Sequence, residues 1–245
     1  MTSKSNRIHI GTSGWHYAHW RSAFYPEDIA KRDWLNFYAD RLPTVEINNS
    51  FYKLPSPETL REWRDTVPKE FVFAVKGSRY ITHQKNLKDP EQTLEKFMDR
   101  VQVIEEKLGV ILFQLPPHWH YNGERLRNFI ERLPQQYRYG FEFRDRSWFN
   151  EEVYTLLSEC GMAFCIYELA GERSPKTVTA DFVYLRLHGP DGAYRGEYDT
   201  NSLCQWAEEF ANWTKQGKEV YCYFDNDEAG YAARNAIALQ DIVLE

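Results

Sequence analysis

The chain has 245 residues, of which 42% are hydrophobic and 16% aromatic, so it can bury a large core and is not a disordered protein. Its formal net charge of −6 gives no general attraction for nucleic acid, although a local basic pocket remains compatible with that charge. The first seven residues contain no apolar signal core, and no stretch reaches the length of a membrane span. The four cysteines lack Cys-x-x-Cys spacing, which favours reduced thiols of a cytoplasmic protein over disulfides or zinc ligands.

Eight short apolar stretches, rich in β-branched and aromatic residues and bounded by turn-forming residues, are predicted to be β-strands. In chain order they are residues 8–12, 44–48, 71–77, 110–115, 139–144, 163–168, 182–188 and 220–226. Segments with helical character separate most of them, at residues 26–39, 57–66, 90–108, 123–133, 151–160, 202–216 and 228–239. The connection 170–180 is the exception, because Gly171, Ser174 and Pro175 indicate a loop or a degenerate turn.

The clearest helical pattern lies in residues 90–108. Apolar residues share one helical face there, namely Leu94, Phe97, Val101, Ile104 and Leu108. Gly109 follows and is predicted to form the C-terminus of that helix.

Strands that alternate with helices pair in parallel, and eight such units close naturally into a TIM-type (β/α)8 barrel. We therefore predict an α/β fold with one barrel domain over residues 1–245 and its core at about 8–239. A doubly wound open sheet is the alternative. It would require a glycine-rich phosphate loop after the first strand, and Gly11-Thr-Ser-Gly14 leads to Trp15 instead of a third glycine.

Polar residues stand near the ends of the predicted strands, where a TIM barrel carries its active site. Side-chain alternation in 139–144 puts Phe141 and Phe143 on one face, suited to packing, and Glu142 and Arg144 on the other. An unpaired charge in a dry core is costly, so Glu142 and Arg144 should face a partner or a solvated cavity. The same alternation assigns further residues to the barrel mouth: Glu46, Asn48, Lys76, Gln114, Tyr184, Arg186, His188 and, depending on register, Asp225 or Asn226.

A series of short motifs accompanies these strand ends: Gly11-Thr-Ser-Gly-Trp15, Val45-Glu-Ile-Asn48 before Phe51-Tyr52, Ile81-Thr-His83, Gln114-Leu-Pro-Pro117, Glu142-x-Arg144 before Ser147-Trp148, Arg186-x-His-Gly189 and Tyr223-Phe-Asp-Asn226. In this order they resemble the YecE-like family, domain of unknown function 72. The resemblance runs from about Ile8 to Leu239 and implies a TIM-type barrel, but it brings no settled activity with it.

Two positions depart from the pattern of that family. The family usually has a histidine after the arginine of Glu-x-Arg, and this chain has Asp145 there. The last strand of the family usually ends Phe-Asn-Asn, where this chain has Asp225 at the middle position. A mechanism that requires that first histidine as a proton carrier lacks its residue in this chain.

The strand-end residues are predicted to share one cavity. Glu142, His188 and Lys76 are the candidate catalytic residues, and Arg144 with Arg186 would clamp an anionic oxygen through charge-assisted hydrogen bonds. The other candidate substrate-binding residues are Glu46, Asn48, Gln114, Asp225, Asn226 and His83, with Trp15 and Tyr52 at an aromatic rim. Structural roles are the alternatives: an internal ion pair for Glu142 and Arg144, a hydrogen-bonded turn for His188, and packing for the aromatic residues.

This set of residues favours an enzyme acting on a small anionic or phosphorylated substrate, and it identifies no cofactor. A metal-dependent hydrolase or nuclease is an alternative, but the cations would neutralise the carboxylates that a metal needs, and no metal ligand is assigned. Glycoside hydrolysis would require two acids at a suitable separation. A module that stacks nucleic-acid ends on the aromatic rim is the alternative from another class, and the net charge does not favour it.

Overall fold

Eight parallel strands close into one barrel in the computed structural model, which describes residues 7–244. The strands are β1 (Ile8–Ser13), β2 (Thr44–Ile47), β3 (Val72–Lys76), β4 (Leu108–Gln114), β5 (Arg138–Glu142), β6 (Ala163–Leu169), the short β7 (Glu172–Arg173), β8 (Phe182–Leu187) and β9 (Glu219–Phe224). β1 pairs with β2 and β9, and β5 pairs with β4 and β6, so the ring of eight parallel strands is closed. Only β7 is antiparallel, and it extends β6 outside the ring. The predicted TIM-type barrel is confirmed.

Helices follow most of the strands: α1 (Trp34–Ala39), α2 (Asn49–Tyr52), α3 (Pro57–Thr66), α4 (Pro90–Gln102), α5 (Gly123–Ile130), α6 (Glu151–Glu159), α7 (Thr200–Lys215) and α8 (Tyr231–Leu244). Four of these helices have an N-cap residue whose side chain accepts a hydrogen bond from a backbone N–H of the first turn. These N-cap residues are Ser56, Asn122, Asn150 and Asp199. Within residues 7–244, no helix is long and apolar enough to cross a membrane.

The helix predicted over residues 90–108 is shorter than expected. α4 ends at Gln102, a 3-10 turn spans Glu105–Lys107, and β4 begins at Leu108, which pairs with Phe73 of β3. Gly109 therefore lies in a strand and does not end a helix. A Cβ on Gly109 would stand 2.6 Å from Val72 Cγ1, so the residue allows close packing. The apolar pattern misled because residues beyond the helix face the same core.

The outer faces of the strands pack against the helices, as the alternation in 139–144 predicted. Phe141 and Phe143 are fully buried. Phe141 lies edge-on to Phe129 of α5, and Phe143 stacks on Trp148 at a ring distance of 5.0 Å. Glu142 consequently points to the barrel interior, on the side opposite these phenylalanines.

Gly11 is required where β1 and β2 run side by side, because a Cβ there would stand 2.0 Å from the carbonyl oxygen of Thr44. We expect Gly11→Ala to lower the free energy of unfolding by about 1–3 kcal/mol, the usual cost of overpacking. Gly140→Ala is the matched control, since its Cβ would meet Leu112 and Tyr184 at 3.6 Å, an ordinary contact. Urea denaturation of both variants tests this difference, and an equally stable Gly11→Ala would contradict it.

The connection between β6 and β8 contains no helix in residues 170–180, all of which the structure describes. Instead, two of its side chains bond to β6. Ser174 Oγ accepts the backbone N–H of Tyr167 at 2.9 Å, and Thr179 Oγ1 accepts that of Phe164 at 2.8 Å. Lys176 Nζ lies over the ring of Trp206 in α7, 5.0 Å from its centre. The predicted loop is confirmed.

Candidate active site at the strand ends

A fully buried guanidinium group, that of Arg186 in β8, forms the centre of the strand-end cluster. Its Nη1 donates to Glu142 Oε2 at 2.9 Å. Its Nη2 lies 2.8 Å from Glu46 Oε1, 2.9 Å from Asp225 Oδ2 and 2.9 Å from Ser13 Oγ. One cation thus connects β8 to the ends of β1, β2, β5 and β9.

Glu46 is fully buried and has hydrogen bonds to both carboxylate oxygens. Besides Arg186, Ser13 Oγ donates to its Oε1, and Tyr184 donates from its hydroxyl to Oε2 at 2.7 Å. Ser13 was not among the predicted site residues. Its signal was the Gly11-Thr-Ser-Gly14 motif, which places a serine at the end of β1.

The cations keep the carboxylates of Glu142 and Asp225 ionised. Burial by itself raises the pKa of Glu142, but Arg144 and Arg186 together hold it well below its usual range. Burial also opposes ionisation of Asp225, whose pKa is lowered mainly by Arg186 and His188. Glu142 is therefore a fixed anion and a poor base, and it contributes charge and orientation more readily than proton transfer.

Arg144 and His188 extend the cluster toward the barrel mouth. Arg144 donates from Nε to Glu142 and from Nη2 to His188 Nε2 at 2.8 Å, with its guanidinium 4.9 Å from the ring centre of Tyr167. Because Nε2 accepts this bond, the imidazole proton lies on Nδ1. Nδ1 is 2.9 Å from Asp225 Oδ2, although the two groups are not aligned as a hydrogen bond. No atom in the described part of the chain bonds to Arg144 Nη1.

Lys76 differs from the other charges of the site because no described residue accepts a hydrogen bond from its amine. It lies at the end of β3 and is 6% exposed, yet within residues 7–244 neither a carboxylate nor a carbonyl accepts a hydrogen bond from Nζ. Nζ lies over the ring of Phe51, 4.4 Å from the ring centre. Burial and then Arg186 lower the pKa of Lys76 to about 8, against the opposing effect of the carboxylates Glu46, Asp225 and Glu142.

Other unpaired polar groups come from the strand ends next to Lys76. Asn48 follows β2, and its Oδ1 is buried with no partner among the described residues. Gln114 ends β4, and its side chain likewise makes no hydrogen bond within the part of the chain that is described. His83, on the π-helical turn Tyr80–Gln84, lies edge-on to Phe51 at 5.0 Å. Burial, followed by the charge of Lys76, lowers the pKa of His83 to about 4, so its imidazole is neutral.

Three predicted site residues have other surroundings. Trp15 follows Gly14, whose φ is +91°, and is fully buried against Trp63 of α3. Asn226 donates from Nδ2 to the carbonyl oxygen of Gly196 and to Asn235 Oδ1. Tyr52 is 71% exposed on α2 and so lies on the surface. Trp15 therefore packs in the core and does not form a rim, and Asn226 anchors a loop.

Of the two arginines predicted to clamp an anion, Arg144 is available and Arg186 is not. Arg186 has no exposed surface, and both its Nη groups already bind carboxylates. A ligand could reach it only by displacing Glu46, Glu142 or Asp225, each of which would then be buried without its counter-charge. Arg144 keeps Nη1 open and remains available for an anion.

The strand-end carboxylates are also the groups that a metal ion at this site would need as ligands. Across residues 7–244, no group of three or more His, Cys, Asp or Glu side chains has a geometry that could hold a metal ion. The strand-end carboxylates bind guanidinium groups instead.

Residues 9–245 match the sequence profile of a family described as Protein of unknown function DUF72. The UPF0759 protein YunF of Bacillus subtilis (strain 168) is 26% identical over 269 aligned residues, which cover 96% of this chain and 94% of YunF. The UPF0759 protein YecE of Escherichia coli (strain K12) is 30% identical over 155 residues, 61% of this chain and 53% of YecE.

Solved structures give a concordant result. A DUF72 family protein from Thermotoga maritima MSB8 has a TM-score of 0.88 at 28% identity, covering 97% of this chain and 99% of that one. A DUF72 family protein from Enterococcus faecalis V583 has a TM-score of 0.76 at 23% identity, over 97% and 98% of the two chains, and shows likeness of fold alone. None of these names states a reaction.

Proposed function

This chain belongs to the DUF72 family, and we propose that it is an enzyme acting on a small anionic or phosphorylated substrate at the strand ends. The observation that carries the proposal is the Lys76 amine, which is nearly buried and lacks a counter-ion among the described residues. An uncompensated charge in such a place costs stability, so it is retained where a ligand supplies the missing partner. A cytoplasmic location is part of the proposal, since the four cysteines are free.

The site divides into a paired half and an unpaired half. The paired half contains Arg186 and its carboxylates, whose mutual hydrogen bonds leave little for a substrate to bind. The unpaired half contains Lys76 and Arg144 Nη1. Lys76 ends β3 and Arg144 follows β5, and β4 alone lies between these two strands in the described barrel, which supports a shared region of the mouth. An anion in this region would bind two cations without breaking any described ion pair.

The residues would then have separate roles. Arg144, oriented by Glu142 and His188, would donate from Nη1 to a substrate oxygen. Lys76 would contact the reacting part of the substrate, and its lowered pKa allows it to exchange a proton near neutral pH. Arg186 would act as a positioning residue, because it holds Glu142 and Asp225 in place without touching the substrate.

We expect phosphate and small carboxylates to bind wild-type protein in calorimetric titrations. Lys76→Met should weaken this binding by about 1.5–3 kcal/mol, the range for a hydrogen bond to a charged group. The matched control is Lys218→Met, because Lys218 precedes β9 at the opposite end of the barrel and donates to the carbonyl oxygen of Ala180. Equal affinity in wild type and Lys76→Met would contradict the proposal, as would no binding at all.

A second candidate function has its own observation. Tyr52, Tyr80 and Tyr194 are exposed by 71%, 47% and 44%, and they follow β2, β3 and β8 at the mouth. Exposed aromatic rings are suited to stacking on bases. A single-stranded oligonucleotide added to the same titrations separates the candidates, since affinity from phosphate contacts falls steeply with salt concentration.

A further inference from the structure

We propose that the Lys76 amine forms an imine with the carbonyl carbon of a small aldehyde or ketone that also carries a carboxylate or a phosphate. This inference rests on the proposed function and specifies its substrate class. It assigns Lys76 a covalent role, whereas electrostatic attraction alone would require only its positive charge.

The surroundings of Lys76 are those of a nucleophile more than those of a structural cation. The half-buried lysines Lys107 and Lys218 each donate to backbone carbonyl oxygens, at 2.6–2.8 Å. Lys76 Nζ has no such acceptor in the described residues, and it faces the ring of Phe51. An amine beside an apolar ring keeps its lone pair more readily, because the charged form is poorly solvated.

The lowered pKa of Lys76 also fits the role of a nucleophile. With a pKa of about 8 in place of 10.5, the neutral fraction of the Lys76 amine at neutral pH is roughly three-hundredfold larger than for an ordinary lysine. Burial is the main cause, and Arg186 adds to it. The carboxylates around Arg186 act in the opposite direction, but their pairing with guanidinium groups limits that effect.

The reaction balances with water as the only other product. The lone pair of neutral Lys76 Nζ attacks the carbonyl carbon, and the carbonyl electron pair moves to oxygen, which takes up a proton. The nitrogen loses one proton to give the neutral carbinolamine, whose hydroxyl group is then protonated and leaves as water. The resulting iminium nitrogen loses its remaining proton to give the imine. Water at the barrel mouth would carry these protons, because a pKa of about 4 makes His83, which lies edge-on to the same Phe51 ring, a poor base at neutral pH. Hydrolysis of the imine regenerates the amine.

The anionic group of the substrate has its own contact. Arg144 Nη1 is open, as far as the described chain shows, while the remaining nitrogens of Arg144 are held by Glu142 and His188. A carboxylate or phosphate bound there would leave the carbonyl carbon of a short molecule free to reach Lys76. Both oxyanions fit a guanidinium edge, so the experiment includes one probe of each kind.

The test is reductive trapping on the full chain. Pyruvate and glyceraldehyde 3-phosphate are each incubated with the protein and sodium cyanoborohydride, which reduces an imine to a stable secondary amine. Mass spectrometry and peptide mapping should find one adduct per chain, at Lys76. Trapping should be about tenfold slower with uncharged dihydroxyacetone, the loss expected from one missing charge-assisted hydrogen bond. Lys218→Met should trap like wild type, and Lys76→Arg should give no adduct at that position.

Three outcomes would overturn the inference. Adducts spread over surface lysines, without preference for Lys76, would show that its amine is not a special nucleophile. Lactate, which has a carboxylate but no carbonyl, distinguishes the two proposals. If lactate binds and pyruvate leaves Lys76 unmodified, the imine is wrong and the anion site stands. If lactate and phosphate do not bind, the anion site fails, and the substrate class proposed here fails with it.

Discussion

Replacing Arg186 by methionine should lower the free energy of unfolding by about 3–5 kcal/mol, the cost of breaking a buried ion pair. Three carboxylates, those of Glu46, Glu142 and Asp225, meet this one guanidinium group, so its removal leaves uncompensated charge in the barrel. Methionine fills much of the volume without supplying a cation. Urea denaturation at pH 7 measures the loss.

Arg146→Met provides the control for this variant. Arg146 pairs with Glu172 on the surface at 3.0 Å, and both side chains are well exposed, so its loss should change stability little. A comparably small loss for Arg186→Met would mean that the carboxylates do not depend on Arg186 for compensation, and the division of the site into two halves would be wrong.

The dependence on pH gives a second check on Arg186. The pKa values of Glu142 and Asp225 lie below their ordinary values of 4.5 and 3.8 in the folded protein. The stability they contribute is therefore present above those ordinary values and is lost as the pH falls through the lower, folded ones. Arg186→Met lacks this contribution. The stability difference between the two proteins should accordingly shrink as the pH drops below about 4.

Lys76→Met should be more stable than wild type at pH 7, by up to roughly 3 kcal/mol, since each pKa unit corresponds to a little over 1 kcal/mol. The wild-type protein bears the cost of a charged amine that is nearly buried, and methionine removes that cost. Because the pKa falls from 10.5 to about 8 on folding, the cost is full below pH 8 and disappears as the pH rises toward 10.5.

Urea denaturation of wild type and Lys76→Met at pH 7 and pH 10 therefore tests how the stability gain depends on pH. The stability gain should be largest at pH 7 and should largely vanish at pH 10. Lys218→Met should show no such gain, because Lys218 has a carbonyl acceptor. A Lys76→Met protein that is less stable than wild type at pH 7 would show that the amine is structurally compensated. A functional residue that lowers stability is a common compromise in active sites.

Sequence patterns predicted the barrel and most of the strand-end polar residues, because alternation in a strand fixes which side chains face inward. They could not predict which charges pair. Arg186 and Glu46 are 140 positions apart in the chain, and their contact depends on the shape of the closed barrel. For the same reason, the sequence could not show that Arg186 is saturated by carboxylates while the amine of Lys76 has no partner among the described residues. Trp15 was predicted at the rim of the site, but it follows the turn at Gly14 and is buried against Trp63 of α3.

The connection between β6 and β8 has a consequence for local opening. Elsewhere in the ring a helix covers the gap between strands, whereas residues 170–180 cover it with two side-chain hydrogen bonds and a lysine over Trp206. Such a cover buries little apolar surface, so it should detach before the rest of the barrel unfolds. Amide hydrogen exchange should then be fastest, among the barrel strands, at Phe164 and Tyr167, whose N–H groups bond to that segment.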